Sequence, residues 1–142
     1  MRDLTSSGPL PRDLDDFLRR GIDSYEHLAI LLLLRRERNR DWSQGELAGA
    51  LGIDAGLAHS AAASLCDRQL LQVTPDDSSP RYRYAASGAS DALVERLGLE
   101  FSHNPARLMR LLSAHAIERV RTSAIRAFAD SFVLKKKGPD RG

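Results

Sequence analysis

With 142 residues, of which 42% are hydrophobic, the chain is long enough for one hydrophobic core. Its net charge is only +2, and its single cysteine excludes an intramolecular disulfide. The longest apolar run, residues 28–34, is too short to cross a bilayer, which takes about 20 residues. Because the N-terminus is acidic and lacks a long apolar stretch, we expect no signal peptide, a cytoplasmic location and no membrane partner.

Two helices are predicted before the most informative part of the chain. A loose segment over 1–11 and a short helix over 12–20 come first. The second helix starts at Asp23 or Ser24 and contains the apolar run, which we expect to be buried. It ends in four arginines: Arg35, Arg36, Arg38 and Arg40. These cations either complement the dipole at the helix end or contact phosphates.

Residues 42–84 have the pattern of a winged helix-turn-helix. A Ser-x-x-Glu capping box opens the first helix at Ser43, and Gly52 ends it. Asp54 then caps a second helix that runs to about Arg68. The inner stripe predicted for this second helix is Leu57, Ala58, Ala61 and Leu65.

A β-hairpin completes the pattern and forms the wing. Its predicted strands are 70–73 and 81–84, separated by a turn-rich loop with two prolines. Alternation along the second strand directs Arg81 and Arg83 to one face, which is either a DNA-contacting face or an ordinary solvated one. A short strand at 42–43 enters the first helix.

The chain resembles the winged-helix regulators of bacteria, with the MarR-type repressors as the nearest well-known shape. The segments that carry this resemblance are Glu46-Leu47-Ala48, Leu51-Gly52-Ile53 and Leu70-Leu71 followed by a wing. It covers roughly residues 24–86. Where the family usually has glycine, this chain has Gln69, and a left-handed conformation there would cost about 1 kcal/mol. The resemblance implies dimerisation through terminal helices and a small-molecule pocket between these helices and the winged domain.

The C-terminal part is predicted to be helical. Ser90 is expected to cap one helix, and Asn104 followed by Pro105 begins the next. Thr122 or Ser123 is then expected to start a last helix. The residues predicted to face inward are Leu93, Leu97 and Phe101 on the first of these helices and Leu108, Leu111, Leu112 and His115 on the second.

The predicted fold is mainly α with a small β-hairpin wing, a winged helix-turn-helix with additional N- and C-terminal helices. Its segments are 1–23 (loose, then a short helix), 24–86 (winged domain), 87–134 (dimerisation helices) and 135–142 (a disordered basic tail). For the dimer contact we predict Leu108, Leu112, Ile125, Phe128 and Phe132. The alternative is that these helices fold back onto their own chain, but a two-fold dimer suits palindromic DNA.

Charge argues against simple DNA reading by the second helix of the motif. This helix has no Lys or Arg between Ala55 and Cys66, and residues 42–104 have a net charge of −4, against +6 for 105–142. DNA binding usually needs a basic face. The candidate DNA contacts are therefore His59, Ser60 and Ser64 on the helix, Arg81 and Arg83 on the wing, and Arg36, Arg38 and Arg40 outside the motif.

Two functions follow as hypotheses. The first is a transcriptional regulator that binds double-stranded DNA as a homodimer, and the second is a module that binds a protein partner with little or no DNA binding. The four histidines lack metal-ligand spacing, and no catalytic elbow or phosphate loop is present, so we expect no enzyme, cofactor or metal. Cys66 is expected to be a buried, inert thiol and not a redox sensor. Tyr25, Trp42 and Phe101 line a ligand pocket or belong to the core.

Overall fold

The computed structural model of the protein describes residues 10–75 and 79–141, with only the backbone described from residue 132 onward. Six helices and three short strands occupy these ranges. In chain order they are α1 (Arg12–Gly21), α2 (Tyr25–Arg36), β1 (Trp42–Ser43), α3 (Gln44–Leu51), α4 (Ala55–Asp67), β2 (Leu71–Thr74), β3 (Arg81–Tyr84), α5 (Gly88–His103) and α6 (Pro105–Arg141). The predicted fold class is confirmed. The segment 1–9 lies outside the described residues, and the domain boundaries stay a prediction.

The helix-turn-helix is held by the capping groups that the sequence indicated. The Ser43 side chain accepts a hydrogen bond from the Glu46 backbone N–H at 3.1 Å, and Glu46 Oε1 accepts one from the Ser43 N–H at 2.9 Å. Gly52 ends α3 with φ of 67°, which glycine adopts without strain. Asp54 caps α4 by accepting from the Leu57 N–H at 3.2 Å.

The wing is a hairpin of β2 and β3, and β1 joins it in a three-stranded antiparallel sheet. The strand order is β1-β3-β2, with Trp42 opposite Tyr82 and Leu71 opposite Tyr84. Gln69 has φ of 64°, so the predicted left-handed residue before the wing is confirmed. The first wing strand begins at Leu71, one residue later than predicted.

The C-terminal half differs from the prediction at two helix starts. Helix α5 begins at Gly88 and not after Ser90, with Ser87 as its N-cap residue. The prediction of a new helix at Thr122 or Ser123 was wrong, because α6 is continuous from Pro105 to Arg141. No glycine or proline occurs between residues 106 and 137, so nothing in the sequence breaks the helix. The helical backbone also continues through 135–141, where we expected a disordered tail.

A single hydrophobic cluster runs through α1, α2, α3, α4, the sheet, α5 and the first half of α6. Its members include Leu14, Leu18, Leu28, Leu31, Leu34, Trp42, Leu47, Leu65, Tyr82, Val94, Leu97, Leu108 and Leu112. Helix α6 packs on α1 and α5 through this first half. Leu108 and Leu112 are buried within their own chain in this way, so they are not available for the dimer contact that we predicted. Phe132 lies outside the residues whose side chains are described.

Candidate nucleic-acid interface

Helix α4 is the second helix of the motif, and its buried side is made of small residues. Ala58, Ala61, Ala62 and Leu65 are buried against α2 and α3. Leu57 was predicted to belong to this stripe but is 44% exposed. A stripe that includes Ala62 is centred further round the helix, so Leu57 falls at its edge and faces outward. The small side chains let α4 pack closely on its neighbours.

His59 connects α4 to the wing. Its Nδ1 and the Tyr82 hydroxyl share a hydrogen bond of 2.8 Å, and the two rings lie 6.3 Å apart. Tyr82 is buried, whereas His59 is exposed on the outer side of the helix. The contact therefore joins α4 to the buried side of β3.

The two serines predicted as DNA contacts have different surroundings. Ser60 is exposed on α4. Ser64 is half-buried, and its hydroxyl accepts a hydrogen bond from Arg68 Nη1. Arg68 also donates from Nη2 to Asp23 Oδ2 at 3.0 Å. Ser64 therefore stabilises the end of α4 within the chain and is not available as a DNA contact.

An arginine cluster, defined here as Arg40, Arg81 and Arg83, lies along β3 and the neighbouring strand β1. Arg83 Nε donates to Asp41 Oδ1 at 2.7 Å. Arg81 Nη2 lies 3.3 Å from both Glu46 Oε1 and the Asp41 carbonyl oxygen. The Arg40 guanidinium lies 3.7 Å above the Trp42 ring, and its Nη2 is 3.2 Å from Glu46. The cluster thus gathers three cations and two carboxylates beside α3.

Glu46 has two structural partners at once. Its hydrogen bond from the Ser43 N–H, followed by the charges of Arg81 and Arg40, holds the pKa of its carboxyl below the usual value. The same carboxylate closes the capping box of α3 and neutralises part of the arginine cluster. Sequence reasoning identified the capping box and missed the ion pairs, because Arg81 is 35 residues away along the chain.

The arginines at the end of α2 divide into paired and unpaired groups. Arg35 Nε donates to Asp91 Oδ1 at 2.9 Å, and Arg38 Nη2 lies 3.4 Å from the same oxygen. The Tyr84 hydroxyl also donates to this oxygen, at 2.6 Å. These bonds, that of Arg35 first, lower the pKa of Asp91. Arg38 therefore helps to join α2, β3 and α5, whereas Arg36 is exposed without a partner among the described residues.

Comparisons with known proteins identify the type of fold. No family model matches the chain, and no curated protein sequence matches it. Among solved structures, the complex of S. aureus MepR with DNA aligns with a TM-score of 0.50 at 14% identity, over 84% of this chain and 89% of that one. MepR itself, a transcription regulator of the Staphylococcus aureus efflux pump MepA, aligns with a TM-score of 0.50 at 17% identity, over 84% and 87%.

The protein has a MarR-like winged-helix fold. A mutant MarR from E. coli aligns with a TM-score of 0.48 at 14% identity, over 89% of both chains. These likenesses describe the fold alone. Within this fold, His59 of α4 contacts Tyr82 on the buried side of β3, whereas Arg81 and Arg83 project from the other side of that strand.

The aromatic residues proposed for a pocket do lie around one cleft. Tyr25, Trp42 and Phe101 contribute to a cleft of about 640 Å³ between α2, β1 and α5. The Tyr25 and Phe101 rings are 6.3 Å apart, and Trp42 Nε1 is buried without a hydrogen-bond partner in the described part of the chain. The lining of the cleft combines apolar side chains with the charged side chains of Arg35, Arg36 and Glu95.

Three other expectations concern chemistry away from this face. Burial, followed by the charge of Asp67, raises the pKa of the half-buried Cys66 thiol, which disfavours the reactive thiolate. Within the described ranges, no three His, Cys, Asp or Glu side chains gather closely enough to hold a metal ion. Across the same ranges, no helix has the length and apolar character needed to span a bilayer.

Proposed function

We propose that the protein is a transcriptional regulator that binds double-stranded DNA as a two-fold dimer. The observation that carries this proposal is the arginine cluster beside β1 and the start of α3 in a winged-helix fold. Arg81 and Arg83 project from one side of β3 because Tyr82 and Tyr84 occupy the buried side. A wing with two outward guanidinium groups can bind the phosphate backbone beside the groove that α4 enters.

The ion pairs of the cluster are compatible with phosphate binding. Each arginine has five N–H donors, and the hydrogen bonds to Asp41 and Glu46 use only some of them. Exposed ion pairs contribute about 0–1 kcal/mol, so a phosphate group can displace a carboxylate at small cost. The pairs also hold the guanidinium groups in place before DNA arrives.

Dimerisation rests on the exposed part of α6, from Ile117 to Ser131. From Ile117 to Ser131 every side chain of this helix is exposed, including Ile117, Val120, Ile125 and Phe128. At 100° per residue these four side chains lie within one face of the helix. An exposed apolar face on a helix that extends from the core is typical of an interface. A two-fold contact there would set two winged domains on one duplex.

The likeness of the fold supports the same proposal, since one of the aligned structures is a complex of MepR with DNA. We also expect a cytoplasmic, non-enzymatic protein.

A second function is favoured by a specific observation. All three arginines of the cluster are paired with acidic groups, and α4 adds Asp67 but no Lys or Arg to the face. A face with so little excess positive charge attracts DNA weakly and suits a protein partner. The alternative is therefore a winged-helix module whose α4 face docks on another protein.

A salt-titrated gel shift distinguishes the two functions. The probe is duplex DNA from upstream of the protein's own gene. The DNA proposal predicts binding that falls steeply with salt, and Arg81→Ala with Arg83→Ala should weaken binding and reduce the slope of log K against log salt by about 2. Arg96→Ala is the matched control, because Arg96 is also exposed and paired, with Asp13 at 2.8 Å. Absence of binding at low salt would exclude the DNA function and leave the partner-binding one.

A further inference from the structure

The outer side of α4 has an unusual set of side chains for a DNA-reading helix. Gly56, Ser60 and Asp67 are exposed along its centre, with His59 at the wing edge and Leu57 at the opposite edge. The Nδ1 atom of His59 already shares a hydrogen bond with the Tyr82 hydroxyl group. Leu57 is in the first turn of the helix, which is the part of a reading helix that contacts base edges.

These side chains restrict which base edges α4 can read. Bidentate contacts to guanine need Arg or Lys, and those to adenine need Asn or Gln. None of these four residue types occurs between Ala55 and Asp67. Asp67, which could accept from cytosine, is the last residue of the helix, far from the first turn. Ser60 can hydrogen-bond to more than one base, so the remaining selective contact is that of an apolar side chain with the methyl group of thymine.

The fold itself does not explain the exposure of Leu57. The core side of α4 is complete with Ala58, Ala61, Ala62 and Leu65, and Leu57 contributes 44% of its surface to solvent. Its neighbour Gly56 has no side chain, and Asp54 caps the first turn by accepting a hydrogen bond from the Leu57 N–H. The isobutyl group of Leu57 is therefore an exposed apolar group on the first turn of the helix.

We propose that Leu57 reads thymine methyl groups, so that the preferred duplex is rich in A·T pairs under α4 and needs no guanine there. This inference rests on the proposed DNA-binding function and specifies its target.

The test begins with selection of duplexes from a random library by the full-length protein. In the best duplex, each thymine is then replaced by deoxyuracil, which lacks only the methyl group, and each guanine by 7-deazaguanine, which lacks the N7 acceptor. We expect A·T-rich selected sites and a loss of about fourfold in affinity when the contacted thymine is replaced. Replacement of the guanines should have little effect.

Variants of the protein connect the effect to Leu57. Leu57→Ala should weaken binding to the thymine duplex and abolish its advantage over the deoxyuracil duplex, as a double-mutant cycle measures. Leu99→Ala is the matched control, because Leu99 is also an exposed leucine, at 55%, and lies on α5, outside the winged-helix motif. A thermal melt of both variants checks that they remain folded.

The outcomes separate the inference from the function on which it rests. Selected sites that require G·C pairs and weaken with 7-deazaguanine, or a Leu57→Ala variant that still distinguishes thymine from deoxyuracil, overturn the inference alone. A library from which no duplex is enriched overturns the DNA-binding function and the inference with it.

Discussion

His115 is a buried titratable side chain of α6. It is 4% exposed and lies against α1, where its Nε2 is 3.3 Å from Asp15 Oδ1. Its Nδ1 is buried without a hydrogen-bond partner among the described residues. Burial, followed by the charge of Arg19, lowers its pKa from the usual 6.5, against the opposing effects of Asp15 and Glu118. The fold therefore favours the neutral ring.

Because the folded protein buries His115 as a neutral ring, we predict that the free energy of unfolding falls in mild acid. A histidine whose pKa is lowered in the folded state binds more protons when the protein is unfolded. Its contribution to the stability of the fold is therefore complete above pH 6.5 and declines below it. The slope for one proton is at most about 1.4 kcal/mol per pH unit. We expect the free energy of unfolding, from urea denaturation at several pH values, to fall less steeply in His115→Gln than in the parent between pH 6.5 and 5.

A second buried histidine must be included in that measurement. Burial also lowers the pKa of His27, so His27 adds to the slope in the same direction and should keep part of it in His115→Gln. His103→Gln serves as the control, since His103 is exposed at the end of α5. Equal slopes for His115→Gln and the parent would contradict the assigned role of burial.

At the scale of elements, the start of α3 combines a structural and an electrostatic task. The Glu46 carboxylate closes the capping box, and it also pairs with Arg40 and Arg81. Glutamine can fill the same position of a capping box, because its amide oxygen also accepts the backbone hydrogen bond. The two tasks can therefore be separated by one substitution.

We expect Glu46→Gln to change the free energy of unfolding by less than about 1 kcal/mol. If the protein binds DNA, the same variant should bind duplex DNA more tightly and with a steeper salt dependence, because it frees charge in the arginine cluster. Gel shifts across a salt series and urea denaturation measure the two effects. Asp13→Asn, which removes a paired carboxylate from α1, should leave DNA affinity unchanged. Weaker DNA binding by Glu46→Gln would show that the ion pairs are needed for the interface.

The elements differ in how well the sequence predicts them. Local signals worked: the capping box at Ser43, the stop at Gly52 and the left-handed Gln69 all occur where the pattern placed them. Each depends on residues within a few positions of one another. The predicted helix starts at Ser90 and Ser123 were wrong. They were based on hydroxyl residues, which also occur inside helices when no helix-breaking residue follows.

The site was less predictable because its contacts join distant residues. His59 with Tyr82, Arg83 with Asp41, and Arg68 with Asp23 are separated by 23, 42 and 45 residues. Side-chain type and period do not specify such pairs. The sequence therefore identified the outward direction of the wing arginines and could not show that acidic side chains bind them.

In the whole molecule, one chain of contacts connects the first half of α6 to the end of α4. Arg119 Nη2 donates to the Asp23 carbonyl oxygen at 2.9 Å, and Arg68 donates to the Asp23 carboxylate at 3.0 Å. Arg68 also holds Ser64 on α4. Because α6 is the proposed dimer helix, this path fixes each winged domain relative to the two-fold axis that the dimer would create.

The dimer itself is predicted to depend on the exposed face of α6. Val120 and Ile125 are 69% and 62% exposed, so Val120→Asp with Ile125→Asp should not disturb the core of the chain. Buried in an interface between two copies, the same carboxylates would carry a large desolvation cost. We expect light scattering to give the mass of two chains for the parent and of one chain for the double variant.

Thr122→Asp with Ser123→Asp is the matched control, because it adds the same charge to the other side of α6. The control should remain dimeric. In gel shifts the monomeric variant should lose affinity for a duplex with two half-sites and keep the weak affinity of a single winged domain, since linking two domains raises their effective concentration. A parent protein with the mass of one chain at all concentrations would contradict the dimer. DNA binding by such a monomer would then have to come from one winged domain, with the arginine cluster as its main source of charge.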